Sequence, residues 1–315
     1  MRIRDKVKKP QRPVVAYEIL PPREKDGTLN SYAETISSLL SQTHIDAINI
    51  PEVHDEIGRG DRPVTNQKRG EPREFGMLLQ DIVGIEAIIN RVVVHEPYEE
   101  QMRWIEETNT TYEIENMIIV GGESSKVDYP GPTVNEMLQS IAKRSNSNGG
   151  DIFCGGIAIP SRKNESKNLI RKSEHGSEFF TTQVLYDAEN INKMINNYQS
   201  RCNELDTFPR RILLSFAPVS SQKNIEFLKW LGVEIPDDTE RYLKGRPGSM
   251  TERSLEVAVE VLNEILDFIT VNNLKVPVGL NVEHIMSYNF QSSVEMLQEL
   301  ARIYREFCIK TQQYS

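Results

Sequence analysis

Cysteine is scarce. Cys154, Cys202 and Cys308 are the only three in 315 residues, they lie far apart, and none belongs to a CxxC pair. That excludes a disulfide framework and a cysteine-built metal site, and points to a reducing, cytoplasmic setting. Long hydrophobic runs are missing too. The longest apolar stretches, such as Ile212-Leu213-Leu214 and Met117-Ile118-Ile119-Val120, fall far short of the roughly 18 residues that a membrane-crossing helix needs. The opening Met1-Arg2-Ile3-Arg4-Asp5-Lys6 leads to Lys8-Lys9-Pro10 rather than to the apolar core of a secretory signal. Positive charge is in deficit: 37 Lys and Arg against 46 Asp and Glu leave a net charge of −9, which argues against a nucleic acid as principal partner. The five histidines, His44, His54, His95, His175 and His284, make neither an HExxH nor a His-x-His pattern, so no metal site is expected. GxSxG, GxxxxGK[ST] and GxGxxG are likewise absent, which removes the serine-hydrolase, P-loop and Rossmann readings.

What is present is alternation. Runs rich in β-branched residues recur at Val14 to Leu20, Ala47 to Val53, Ile88 to Val94, Asn116 to Val120, Phe153 to Ile159, Phe179 to Tyr186, Ile212 to Pro218 and Val276 to Val282. Amphipathic segments separate them, with apolar residues three and four apart at Ile191, Met194, Ile195 and Tyr198, at Leu255, Val259, Leu262, Leu266 and Ile269, and from Ser293 to Ile309. Thr251-Glu252-Arg253-Ser254 reads as the N-cap of the second of these. Eight strands at a mean spacing of about 39 residues match one strand-helix unit of a parallel sheet. The pattern fits a closed α/β barrel better than a doubly wound sheet, although periodicity alone does not separate the two. The expectation is a single (β/α)8 TIM barrel over residues 1–315, with 1–12 as an N-terminal extension.

In such a barrel chemistry belongs at the C-terminal ends of the strands. The first strand ends in Tyr17-Glu18-Ile19-Leu20, which puts the Glu18 carboxyl among apolar residues. Burial there would raise its pKa and suit a general acid; the other reading is a Glu paired with a buried Lys or Arg. Gly121-Gly122-Glu123 closes the fourth strand, where glycines admit a ligand and Glu123 accepts hydrogen bonds from ring N–H groups. Arg162 and Lys163 after the fifth strand suit an anion. Gln183 ends the sixth with an amide able to read a heterocycle, and the eighth carries Asn281, Glu283 and His284. Gly58 to Arg73, with Arg59, Arg62, Lys68, Arg69 and Arg73, is a long basic stretch after the second strand, either a solvated loop or a lid over the mouth. Ser145 to Gly150 reads as a helix-to-strand turn on the opposite face.

Taken together these strand ends resemble the methylenetetrahydrofolate reductase family, a (β/α)8 barrel. Ala16-Tyr17-Glu18-Ile19-Leu20-Pro21-Pro22-Arg23 is similar to its opening aromatic-Glu-aromatic-aromatic-Pro-Pro-Lys/Arg motif. Phe179-Phe180-Thr181-Thr182-Gln183-Val184-Leu185-Tyr186-Asp187 resembles its Thr-Gln-aromatic-aromatic-Asp segment, with Lys172 and Gly176 at the family's spacing before it. Ala217-Pro218-Val219-Ser220 and Leu231-Gly232-Val233-Glu234-Ile235-Pro236 are similar to its seventh strand and the loop after the next helix. The resemblance implies reduction of 5,10-methylenetetrahydrofolate to 5-methyltetrahydrofolate with NADH or NADPH. Glu18 is then the acid that assists ring opening, with Glu123 and Gln183 completing the catalytic set. Gln183, Glu123 and Asn281 would bind substrate, and His95, Gly122, Asn168, Arg171 and Lys172 would hold FAD.

Several family features are replaced. Gly121 stands where an Arg usually holds the flavin, Ile159-Pro160-Ser161-Arg162 replaces Tyr-Pro-Glu-x-His, and Gly279-Leu280-Asn281-Val282-Glu283-His284 replaces a strand ending in Leu-Asn-Arg. Two forms of the reductase stay open, one using bound FAD and one passing hydride directly from NAD(P)H. A folate- or pterin-binding barrel without reductase activity, accessory to methyl transfer, is the reading from another class. An aldolase-type lyase would want a strand-end Lys inside the barrel. Arg59, Arg62 and Lys223 are candidate contacts for the anionic tail of a folate, and a homo-oligomer is compatible with the sequence.

Overall fold

The computed structural model describes residues 1–40, 43–54, 60–122, 127–148, 152–245 and 248–313, the side chains of 146–148 and 312–313 excepted. The elements run in the order α1 (Ile3–Val7), β1 (Val15–Glu18), α2 (Leu29–Leu40), β2 (Ala47–Pro51), α3 (Pro72–Val83), β3 (Ala87–Val92), α4 (Tyr98–Thr110), β4 (Asn116–Val120), α5 (Val134–Asn148), β5 (Phe153–Ala158), α6 (Glu165–Glu174), β6 (Phe179–Val184), α7 (Glu189–Glu204), β7 (Arg211–Phe216), α8 (Gln222–Trp230), α9 (Asp237–Lys244), α10 (Met250–Val271), β8 (Val278–Glu283) and α11 (Phe290–Gln313). All eight strands are parallel, each pairs with its successor, and β8 pairs with β1, so the sheet closes on itself. The fold is a (β/α)8 barrel.

Strand parity divides the interior into two storeys. Side chains two apart share a face, so the N-terminal halves send Ala16, Ala47, Ile88, Ile118, Phe153, Phe179 and Leu213 inward as an apolar floor. Gly155 has no side chain because a Cβ would sit 2.5 Å from the Phe179 ring; packing decides this strand glycine. One or two turns of parity higher the same strands turn polar, with Asn49, Asn90, Thr181, Ser215 and Asn281 all buried. Opposite faces of the strands pack on the helices in a larger apolar shell that includes Leu214, Leu262 and Leu297.

Residues 1–12, expected as an extension, instead close the bottom of the barrel. Ile3 and Val7 of α1 are buried against the floor, each contributing about 1.5–3 kcal/mol of apolar burial. Arg211, only 2% exposed, fastens the following turn: its guanidinium donates to the carbonyls of Val7 at 3.2 Å and Lys9 at 2.7 Å, and to that of Val278.

Several expected boundaries shift. The N-cap of α10 is Ser249, not the Thr251–Ser254 stretch; its hydroxyl accepts from the Glu252 backbone N–H while Glu252 returns to the Ser249 N–H. That reciprocal pair satisfies two donors at once, which a start inside 251–254 would leave exposed. The Ser145–Asn148 segment, expected as a turn, is the last turn of α5, with Gly149 and Gly150 outside the described residues. Arg73 is not part of a basic loop. It is buried near the start of α3, paired with Glu71 at 2.8 Å and packed over the rings of Trp104 and Tyr112. No helix among the described residues is long and apolar enough to cross a membrane.

Candidate active site

Two adjoining cavities open at the C-terminal ends of the strands. The first, about 350 Å³, lies beneath the loop between β2 and α3 and has mostly apolar walls, including Leu20, Val64, Phe227, Leu231 and Ile285. The second, about 630 Å³, extends over β3 to β6 and is lined by His95, Gly122, Arg162, Asn168, Arg171 and Lys172. Glu18, Pro51, Glu52, His54, Gln183 and Glu283 line both. A molecule in either lobe therefore reaches the same group of polar side chains.

At the junction stand two carboxyls. Glu18 ends β1, Glu283 ends β8, and the two residues are register partners across the seam of the barrel. No Lys or Arg among the described residues pairs with either, which rejects the reading of Glu18 as half of a buried ion pair. Burial raises the Glu18 pKa well above the ordinary carboxyl value, and the neighbouring Glu283 charge raises it further. Burial raises Glu283 in the same way, opposed by hydrogen bonds from Ser215 and Asn281. Two buried carboxyls side by side titrate as a pair and cannot both ionise cheaply, so the pair carries a proton near neutral pH. Asn49 Nδ2 donates to Glu18 Oε2 at 2.7 Å and Asn281 Nδ2 to Glu283 Oε1 at 3.2 Å, which fixes both carboxyls in place. His284 adds no positive charge here: burial lowers its pKa to about 4, leaving a neutral ring between Tyr17 and Phe290.

Glu52 is the contrasting carboxylate. Burial would push its pKa up, but the hydrogen bond from His54 and the charges of Arg91 and His54 outweigh this and hold it below the usual value. The site thus places a protonated acid and an ionised carboxylate within one mouth, the separation of pKa values that acid catalysis requires.

Gln183 reaches the mouth through a defect in the sheet. Thr181 pairs with Leu213, yet Val184 pairs with Ser215, so β6 carries one extra residue over that interval. Thr182 Oγ1 accepts the Ser215 N–H at 2.9 Å, replacing the lost ladder bond, and Thr181, Thr182 and Gln183 all line the larger lobe. Bulges of this kind aim side chains beside active sites. The Gln183 amide then donates to the Leu231 carbonyl at 3.0 Å, which leaves its oxygen facing the lobes. A second special backbone lies after β8, where Ile285 has φ 45°; a β-branched residue in that region is strained by about 1–3 kcal/mol, as residues beside binding sites often are.

In the larger lobe, Asn168, Arg171 and Lys172 project from one face of α6. Asn168 and Lys172 are tied to the buried Glu165, at 2.8 and 3.5 Å, and Lys172 also donates to the Ile157 carbonyl at 2.5 Å. Arg162 and Arg171 stay at the surface of the lobe. Opposite them His54, His95 and Tyr129 stand ring against ring. Gly122 lacks a side chain for the sake of this wall: a Cβ would lie 2.3 Å from the Tyr129 ring.

The sequence model of the methylenetetrahydrofolate reductase family matches residues 2–297. The chain belongs to that family. Methylenetetrahydrofolate reductase 1 of Schizosaccharomyces pombe is 25% identical over 137 residues, which cover 42% of this chain and 20% of that enzyme, so the match spans about a fifth of the relative's length. An uncharacterized protein from Clostridium thermocellum that binds two copies of 5-methyl-5,6,7,8-tetrahydrofolic acid shares the fold, with a TM-score of 0.76 and 22% identity over 96% of this chain and 99% of that one.

Of the residues expected from the reductase family's motifs, the structure brings Glu18, Gln183, His95, Gly122, Asn168, Arg171 and Lys172 to the lobes. Glu123 and Arg59 lie outside the described residues. Asn281 lines neither lobe; it sits one layer below, donating to Ser215 and Glu283, so it positions a carboxyl instead of touching a ligand. Lys223 is exposed on α8, away from both cavities, whereas Arg62 lines the smaller one. Glu52, Asn49 and Tyr129 were not expected, whereas Glu283 was singled out with Asn281 and His284 at the end of the last strand but given no role. The family's flavin fits the larger lobe by the chemistry of its lining: two accessible guanidiniums, Arg162 and Arg171, for a diphosphate, and the rings of His54 and His95 for a ring system.

Proposed function

We propose that the chain reduces 5,10-methylenetetrahydrofolate to 5-methyltetrahydrofolate, with NADH or NADPH as hydride donor and FAD held in the larger lobe. The single observation that carries this reading is the pair of adjoining carboxyls, Glu18 and Glu283, at the junction of two lobes, in a chain of this family. The folate is assigned to the smaller lobe and the dinucleotide to the larger one, where Arg162 and Arg171 would meet its phosphates and His54 and His95 its rings. A flavin bound there supplies a two-electron carrier between nicotinamide and substrate.

The protein's own part is proton chemistry. Opening the five-membered ring breaks a C–N bond, and the departing nitrogen needs a proton, which Glu18 donates from its carboxyl. The electron pair of that bond goes to the nitrogen, leaving an iminium carbon that accepts hydride to become methyl. Negative charge appears on Glu18 as positive charge appears on the substrate a short distance away, inside a mouth of low dielectric, and the two stabilise each other. Glu283 raises the readiness of Glu18 to hold its proton until then, and Gln183 offers its oxygen to the N–H edge of the heterocycle.

Purified protein should show absorbance in the flavin band and oxidise NADH or NADPH when given methylenetetrahydrofolate. Turnover without flavin would retain the reductase and remove FAD. A second reading, a folate-binding barrel without reductase activity, draws on the two lobes, which have room for two ligands of one kind. Tight binding of methyltetrahydrofolate with no turnover on either nicotinamide, with or without added flavin, would establish that reading instead.

A further inference from the structure

Three guanidiniums line the smaller lobe: Arg23, Arg62 and Arg69. Two are already engaged. Arg23 grips Asp26 through two hydrogen bonds at 2.7 Å, and Arg62 lies over the stacked rings of Phe227 and Trp230, 5.1 Å from each centroid. Arg69 differs. Among the described residues no carboxylate pairs with it; its Nη1 donates to the Pro21 carbonyl at 2.8 Å, its Nε is buried with no acceptor, and its Nη2 has no partner. The backbone is fixed on both sides by the bridge between Arg23 and Arg69 and by the Gly70 N–H donating to the Pro22 carbonyl at 2.9 Å. Burial, first, and then the charges of Arg23 and Arg62 penalise its cationic form, partly offset by Tyr32 and Asp26.

A half-buried cation held rigidly beside two like charges costs stability unless something anionic completes it. The space it faces is small, with mostly apolar walls, and Glu18, Glu52 and Glu283 also line it. A dinucleotide diphosphate needs several donors and finds them in the other lobe. One planar guanidinium with spare N–H groups suits a carboxylate. We propose that Arg69 receives a carboxylate of the benzoylglutamate end of the folate, so that the smaller lobe selects the carboxylate-tailed pterin over the bare ring. This rests on the folate reading above and adds to it the group that reads the tail.

The test is calorimetric titration of the full chain with 5-methyltetrahydrofolate, with 6-methyltetrahydropterin, which has no tail, and with NADH and NADPH. Arg69→Met should weaken the folate about tenfold to hundredfold, the effect of losing a charge-assisted hydrogen bond, and leave the tail-less pterin at its wild-type affinity, which also shows the lobe to be intact. Arg69→Lys should recover part of the loss. Equal weakening of both pterins would make Arg69 a structural residue and overturn the proposal, as would weakening confined to NADPH, which would assign the anion to its 2′-phosphate. Wild-type affinity for the folate in Arg69→Met overturns the proposal alone, whereas wild-type protein that binds neither pterin overturns the folate reading with it.

Discussion

Glu18 and Glu283 are cross-strand neighbours on the first and last strands of the barrel, and each makes the other harder to ionise. Burial, first, and then the charge of Glu283 make Glu18 the acid in this site. Glu18→Gln should lower turnover at least about 100-fold while leaving the melting temperature near that of the wild type, because a positioned general acid contributes at least that much. Glu283→Gln should keep substantial activity but move the alkaline fall of the rate to lower pH, since the charge that raised the Glu18 pKa is gone. A pH–rate profile of the two variants checks both statements; an unmoved limb in Glu283→Gln would show that the carboxyls do not communicate.

Asn49→Leu acts in the opposite direction. The Asn49 amide donates to the Glu18 carboxylate and so favours its ionised form. Removing the donor with a side chain of similar volume should shift the alkaline limb to higher pH, and the same profile measures it.

His284 gives the fold an acid weakness. Its pKa is about 4 in the folded protein and near 6.5 when unfolded, so the unfolded chain binds the extra proton between those values and stability falls as pH drops through that window. The expected loss from this residue between pH 7 and pH 5 is about 2 kcal/mol. Measured by urea denaturation, the stability of the wild type relative to His284→Gln should fall by that amount as pH drops from 7 to 5. Glu18 and Glu283 contribute in the reverse sense: with raised pKa values they take up protons on folding, and that stabilisation is present in acid and fades as pH rises.

Deleting residues 2–10 would uncover the floor at Phe153, Phe179 and Leu213 and strip the buried Arg211 guanidinium of three carbonyl partners. A destabilisation of about 3 kcal/mol or more follows from an uncompensated buried charge, measurable as a lower urea midpoint. Arg211→Met in the same truncated chain should restore part of it, because the charge would no longer need partners.

The barrel was legible in the sequence because its strands are buried on both faces, so each reads as an apolar run with polar ends. β4 emerges residue for residue at Asn116–Val120 for that reason. β6 was read to Tyr186 but ends at Val184, since the bulge at Thr182 and Gln183 turns the chain out of the sheet and a bulge leaves no mark in hydrophobic periodicity. Glu18 and Gln183 were visible as polar residues at the ends of apolar runs. Asn49 and Asn90 were not, because a single amide inside an apolar run looks like a tolerated exception until neighbouring strands bring several such exceptions to one level. The partnership of Glu18 with Glu283 depends on closure of the barrel, which no local pattern encodes, and the packing of Tyr129 on Gly122 depends on a loop folding back over the end of β4.

Closure across β8 and β1 also orders events in time. The seam joins the two strands farthest apart in the chain, the contact with the largest entropic cost of formation. Until it forms, Glu18 lacks the cross-strand Glu283 neighbour that helps to raise its pKa. The neighbouring charge that helps to raise the Glu18 pKa therefore comes into place only with the last strand.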